Sequence, residues 1–211
     1  MEQQEKIKDT HLKIIQAGKE ILRQKDYYEA VVEEIAHQAG VAKGTIFFYF
    51  KTKENLFREI LISLIEEVCA VIEEISHYHM HPLKKLKLIY EKYIDFNIKN
   101  MKLFQSIRKV LSETEPRVEE IKQKLLGVSQ KILPIIEELE KKGLIKKIDV
   151  TLDTVEVVPS MLLMYASAVS TMVFFYPEKL EKIKEIFWHI LLHGILNEDV
   201  SVKMNLLGEE V

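Results

Sequence analysis

An all-α fold of about nine helices is predicted by three features of the chain. It has only 7 Gly and 5 Pro in 211 residues, it is rich in Lys, Glu, Ile and Leu, and no strand-like alternation recurs. The helical pattern divides into a small three-helix N-terminal unit (residues 1–55) and a larger C-terminal helical bundle (residues 56–211). At 47% hydrophobic and 30% charged, the composition is that of an ordinary soluble protein.

The first helix is expected from about Lys6 to Gln24, with Leu12, Ile15 and Leu22 on its apolar stripe. Two short helices follow, Val32–Ala39 and Lys43–Tyr49. The fourth runs from Lys53 to about Ser76, with Thr52 placed to cap it. Tyr78–Pro82 interrupts the periodicity. The fifth helix spans about Leu83–Ile98 and a short sixth about Leu103–Leu111. Pro116 suits the first turn of the seventh, which runs to Lys142, is expected to bend at Pro134 and stops at Gly143. The eighth covers about Thr151–Phe175, and Pro177 opens the ninth, which ends near Leu196. The domain boundary falls inside the fourth helix with no Pro/Gly-rich linker. A helix shared by two units transmits displacement, whereas a floppy linker does not.

Net charge is −3, and the first 55 residues balance nine Lys/Arg against nine Asp/Glu. Any nucleic-acid site must therefore be a local patch rather than a basic domain. The single cysteine, Cys69, rules out an intrachain disulfide, fits a reducing compartment and reads as a small hydrophobe. The N-terminus is charged and lacks an apolar signal segment, so a cytoplasmic location is expected. Val157–Tyr176 carries no charge and is long enough to span a bilayer. Its Pro159, Ser160, Ser167, Ser170 and Thr171, flanked by charged amphipathic helices, favour a buried helix and no membrane partner.

The stretch Val32–Lys51, VEEIAHQAGVAKGTIFFYFK, has the spacing of a helix-turn-helix. Ala36 lets two helices approach, and Gly40 suits a left-handed turn between them. Ile35, Ala39, Val41 and Ile46 fall where a small bihelical core needs apolar groups. The second helix of such a motif enters the major groove N-terminus first. Lys43, Gly44 and Thr45 lie there: a cation for a guanine edge or phosphate, a position without bulk, and a hydroxyl with a methyl. Phe47 and Phe48 are read as apolar contacts to DNA, and Tyr49 and Lys53 as phosphate contacts near the N-terminus of the fourth helix. A purely structural reading stands beside this: Ile46 and Phe50, and even Phe48, can serve as core of a three-helix unit.

The run Ala42-Lys43-Gly44-Thr45-Ile46-Phe47-Phe48-Tyr49-Phe50-Lys51-Thr52-Lys53-Glu54-Asn55-Leu56 resembles the signature of the tetracycline-repressor family. The resemblance covers about residues 10–57; the rest matches only in length and helix layout. It implies a homodimeric transcriptional regulator, a repressor, that binds a double-stranded palindromic operator and is released by a small hydrophobic or amphipathic effector, without enzymatic activity or cofactor. Three departures stand out. Asp26 replaces a common Gly, Ala30 and Val31 replace the Thr or Ser that cap the second helix and touch phosphate, and Phe47 lacks the hydroxyl of a common Tyr. Fewer polar backbone contacts are therefore expected.

In the bundle, the eighth helix is apolar nearly all round, through Met161, Leu162, Met164, Tyr165, Val169, Met172 and Val173. Such a helix must be covered on several sides. Candidates for an effector pocket are Tyr90, Tyr93 and Asn97 from the fifth helix, a stripe that more often is structural, and Met161, Met164, Tyr165 and Met172 from the eighth; Arg108 is a candidate for an anionic head group, with a surface role as the favoured reading. The ninth helix offers Phe187, Ile190, Leu191 and Gly194 for a four-helix dimer interface. His77, His79 and His81 flank a helix break, and His189 and His193 sit one turn apart; loop or interface roles are expected, with no metal. No Gly-rich phosphate loop or nucleophile–base motif occurs. The alternative class is a helical ligand-binding or carrier protein without sequence-specific DNA binding.

Overall fold

A computed structural model describes residues 2–103, 118–146 and 157–195. Among the described residues the regular elements are helical: α1 (Glu2–Gln24), α2 (Val32–Ala39), α3 (Lys43–Phe50), α4 (Lys53–Ser76), α5 (Pro82–Lys99), α6 (Val118–Lys141), α7 (Val157–Phe175) and α8 (Leu180–Ile195). A 3-10 turn, Pro177–Lys179, leads into α8. The short sixth helix expected from the sequence lies, beyond Leu103, outside the described residues, as do Arg108 and Pro116. No described helix is long and apolar enough to cross a membrane.

Two compact units emerge, Met1–Glu67 with Lys99–Lys124, and Val68–Ile98 with Leu125–Val211. The packing division therefore falls within α4, beyond the boundary at 55/56 drawn from the sequence.

In the first unit Ile14 and Leu22 of α1, Ile35 of α2, Ile46 of α3, and Leu56, Ile60 and Leu64 of α4 are almost wholly removed from solvent. Leu12, expected on the buried stripe, is instead 55% exposed, because Ile14, Ile15 and Ala17 turn inward in its place. Gly18 lets α1 meet α4 closely: a Cβ there would stand 2.4 Å from Cδ1 of Ile60. Beside it the buried Lys19 donates to Ser63 Oγ (2.7 Å) and to the half-exposed Glu67 (2.5 Å), so the buried ammonium is paired. Arg23 Nε donates to Oδ1 of the buried Asn100 at 3.0 Å.

The second unit packs Leu86, Ile89, Tyr90 and Ile94 of α5, Val128, Ile132, Ile135 and Leu139 of α6, Ala166, Val169 and Val173 of α7, and Ile183, Trp188 and Leu192 of α8. The α6 helix continues through Pro134 and ends as expected before Gly143, whose φ of 65° is left-handed. Two links tie α5 to α8: Tyr90 donates its hydroxyl to the Lys184 carbonyl (3.3 Å), and Lys184 Nζ donates to Asp95 (2.5 Å).

Candidate nucleic-acid interface and effector cavity

The turn between α2 and α3 closes by backbone chemistry. Gly40 adopts φ 68°, ψ 32°. Its N–H donates to the His37 carbonyl (3.1 Å), and the Val41 N–H donates to the Ala36 carbonyl (3.0 Å). This paired arrangement satisfies the last carbonyls of α2 and needs a residue tolerant of positive φ at Gly40. Ala42 then starts α3 from an extended conformation. At the other end Lys51 takes φ 67°, unusual for a residue with a Cβ. Thr52 Oγ1 accepts from the Asn55 N–H at 3.1 Å, capping α4 as expected.

These junctions fix which way α3 faces. Ile46 and Phe50 point into the core, 1% and 3% exposed. Lys43, Gly44, Phe47 and Phe48 are exposed, and Thr45 and Tyr49 are half-buried. Phe48, at 69% exposed, is no core residue. Gly44 meets nothing: a Cβ built there would find no atom within 4 Å, so the fold itself imposes no need for glycine. Tyr49 lies edge-on to Phe48 (ring centroids 5.5 Å apart) and near His11 (6.0 Å).

The two lysines singled out from the sequence are not free-swinging. Lys43 forms an ion pair with Glu33 of α2 and lies 5.7 Å from the Phe47 ring centroid. The hydrogen bond from Lys43 is the leading cause that holds the Glu33 carboxyl below its usual value. Lys53 sits over the Tyr27 ring at 4.6 Å, and desolvation lowers its pKa, partly opposed by Glu54 and Asp26. The region that departs from the family pattern is held by other means. Asp26 Oδ1 accepts from the N–H groups of Tyr28 (2.8 Å) and Glu29 (3.1 Å), and the Tyr27 hydroxyl donates to Glu54 (2.9 Å). Val31 starts α2 with no side-chain cap. Linear pattern could not identify Glu33 as the partner of Lys43, because the two lie ten positions apart and are brought together only by the α2–α3 crossing.

In the second unit a cavity of about 20 Å³ lies between α5, α6, α7 and α8. Tyr90, Tyr93, Leu162, Leu163, Ala166, Trp188 and Leu191 are among its walls. The Tyr90 and Trp188 rings are 5.3 Å apart. Burial pushes the Tyr90 phenol well above its ordinary value, so it stays protonated. The other described residues expected in a pocket, Asn97, Met161, Met164, Tyr165 and Met172, are not among the walls of this cavity. Asn97 is buried and donates to Ser167 Oγ (3.5 Å), and Tyr165 donates to the Phe187 carbonyl (2.9 Å). Met161, Met164 and Met172 stand on the outer face of α7, 62%, 72% and 39% exposed. The reason is visible in the spacing: Ala166, Val169, Ser170 and Val173 form the inward stripe, which turns the methionines outward.

Of the residues assigned to a dimer face, Ile190 and Gly194 are exposed, Phe187 is half-buried against Tyr165, and Leu191 lines the cavity. His189 and His193 place their Nε2 atoms 2.8 Å apart on α8. Among the described residues no three His, Cys, Asp or Glu side chains gather as a metal site would require.

Residues 14–60 match the family described as bacterial regulatory proteins, tetR family. The chain is 47% identical over 57 residues to the fatty acid metabolism regulator protein of Bacillus subtilis, covering 27% of each chain. It therefore spans about a quarter of that relative's length. To the HTH-type transcriptional regulator YhgD of the same organism it is 30% identical over 143 residues, covering 64% of this chain and 72% of the relative. The crystal structure of the transcriptional regulator FadR from Bacillus subtilis in complex with stearoyl-CoA superposes with a TM-score of 0.67 at 25% identity, covering 87% of this chain and 98% of that one. With its helix-turn-helix formed around Gly40, its all-helical build and a relative matched over most of its length, the chain belongs to the tetR family of bacterial regulatory proteins.

Proposed function

We propose that this chain is a transcriptional repressor that binds a palindromic double-stranded operator as a homodimer and is released by an amphipathic effector with a hydrocarbon chain. The observation that carries the reading is the exposed face of α3. Lys43, Gly44, Phe47 and Phe48 project from the helix that such motifs insert into the major groove, and Gly44 leaves room that the fold does not use. Thr45 completes the base-reading end, and Tyr49 and Lys53 flank it toward the phosphates.

Support for the homodimer comes from α7 and α8. Met161, Met164, Met172 and Phe175 on α7, with Ile186 and Ile190 on α8, leave apolar faces exposed in the single chain. Gly194 has open space around it. A second copy packed on these faces forms a four-helix interface, and the methionines belong to it rather than to a pocket.

Support for the effector class comes from the apolar cavity and from the stearoyl-CoA complex of the Bacillus subtilis regulator. A cavity of about 20 Å³ holds no more than about one water, while small-molecule sites measure about 300–1,000 Å³. Effector entry must therefore displace side chains around Tyr90 and Trp188. This gives a ligand differential affinity for a second conformation, the condition for it to alter DNA binding. The helix α4 runs unbroken from the end of α3 into the second unit's sequence and offers the continuous route.

The test is selection of duplexes from a random library by the purified protein, followed by gel shift with and without a long-chain acyl thioester. A repressor gives a palindromic consensus and loses it on addition of the thioester. A carrier protein enriches no sequence, and Lys43→Ala and Thr45→Val change nothing.

A further inference from the structure

Beside the N-terminal end of α3 stands an acid of α2 that the DNA-binding reading does not use. Glu33, in the first turn of α2, forms an ion pair with Lys43, the first residue of α3. Both side chains are more than half exposed, 51% for Lys43 and 59% for Glu33, so whatever meets one meets the other. Packing does not force the contact, because neither side chain is buried. Charge balance makes the pair consequential. The unit has no cationic surplus over residues 1–55, so one masked lysine removes a sizeable part of the local positive field.

We propose that Glu33 is a specificity-determining residue: it competes with DNA for Lys43, so that only a sequence offering a better acceptor than the carboxylate draws the lysine away. The inference rests on the DNA-binding reading above. A phosphate backbone offers Lys43 one diffuse negative charge and brings Glu33 against further phosphates. A guanine edge offers O6 and N7 together at a fixed place in the groove. With the pair in place, non-specific binding is penalised on every sequence, while a matched site recovers the loss through direct contact. Glu33, like any exposed glutamate, is ionised at neutral pH, and the hydrogen bond from Lys43 lowers its pKa further, so the competition is present throughout that range. When Lys43 leaves, the bare carboxylate takes up a cation from solution. That uptake opposes the counterion release that drives association.

The experiment compares wild type, Glu33→Gln, Lys43→Ala and the double variant. Binding to a random-sequence duplex and to a duplex selected by the wild type is followed by fluorescence anisotropy across a salt series. Glu33→Gln is expected to tighten the random duplex about two- to fivefold per bound subunit, the range of an exposed ion pair. It is also expected to steepen the salt slope by about 0.9 per subunit and to lower the ratio of selected to random affinity. In the Lys43→Ala background the same substitution gives a smaller gain, since no pair is left to break. Equal gains in the two backgrounds, or no gain in either, overturn the inference while leaving DNA binding intact. Failure of the wild type to bind either duplex overturns the DNA-binding reading and the inference with it. Circular dichroism melts check that all four proteins are folded alike.

Discussion

Gly44→Ala separates what the fold needs from what DNA needs. The substitution adds one methyl group to the second residue of α3, at a position with no atom within 4 Å and no left-handed φ. Glycine within a helix costs about 0.5–1 kcal/mol relative to alanine, because more backbone freedom is lost on folding. The variant should therefore be more stable by about that amount, a rise in Tm of about 1–4 °C for a chain of this size. In the proposed DNA complex the same methyl group would point toward the groove, at the place where Gly44 is proposed to let the backbone approach the bases. Pushing the helix outward should cost roughly one base-edge contact in each half-site, about 1–3 kcal/mol or about 5- to 150-fold in affinity per half-site. Gly127 of α6 supplies the control, since it also has open space around its missing Cβ. Gly127→Ala should stabilise similarly and leave DNA binding unchanged. Thermal melts by circular dichroism give the first quantity, and anisotropy with a selected duplex gives the second. Unchanged DNA affinity in Gly44→Ala would remove this end of α3 from the interface. A lower Tm would contradict the open environment on which the stability estimate rests.

Three further outcomes are expected. Gly18→Ala places its Cβ 2.4 Å from Cδ1 of the fully buried Ile60; overpacking of about 1–3 kcal/mol outweighs the helix-propensity gain of up to about 1 kcal/mol, and Tm should fall. Ile190→Glu, with Met164→Glu as a second variant, alters side chains exposed in the single chain (55% and 72%), so each should stay folded but sediment as a monomer; a persisting dimer places the interface elsewhere. Trp188 is the chain's one tryptophan and lines the cavity, so titration with a long-chain acyl thioester should change its fluorescence saturably. An equal change with coenzyme A alone would show that the hydrocarbon is not what the cavity takes.

Much of the first unit was legible because its signals are local. A glycine four residues after Ala36 predicts a left-handed turn, and Gly40 adopts it at φ 68°. A threonine before a helical run predicts a cap, and Thr52 makes it. Gly143 ends α6 for the same conformational reason. Each outcome depends on one residue's backbone preference or on a side chain within three positions, which sequence order already specifies. The inward places of Ile35, Ile46 and Phe50 follow from helical periodicity in a short, strongly patterned segment.

Where partners are distant in sequence, or the pattern is uniform, only the tertiary structure could decide. The α7 helix is apolar nearly all round, so periodicity assigned no inner face; packing turned Ala166 and Val169 in and Met161 and Met164 out. Asn97 and Tyr165 were both expected to line a ligand pocket, but they donate to Ser167 and to the Phe187 carbonyl. Gly18 carried no turn signal, and its need for glycine came from Ile60, more than forty residues away. Sequence offered Lys43 a guanine edge, a phosphate or solvent, and the α2–α3 crossing places Glu33 beside it. The sequence by itself determined the described helices, the ends set by Gly40, Thr52 and Gly143, and the motif, because short-range sterics and hydrogen bonding set those. Which face of each helix is buried, and which charges neutralise one another, was decided by long-range packing, because burial and Coulomb attraction depend on distance in space and not on position along the chain.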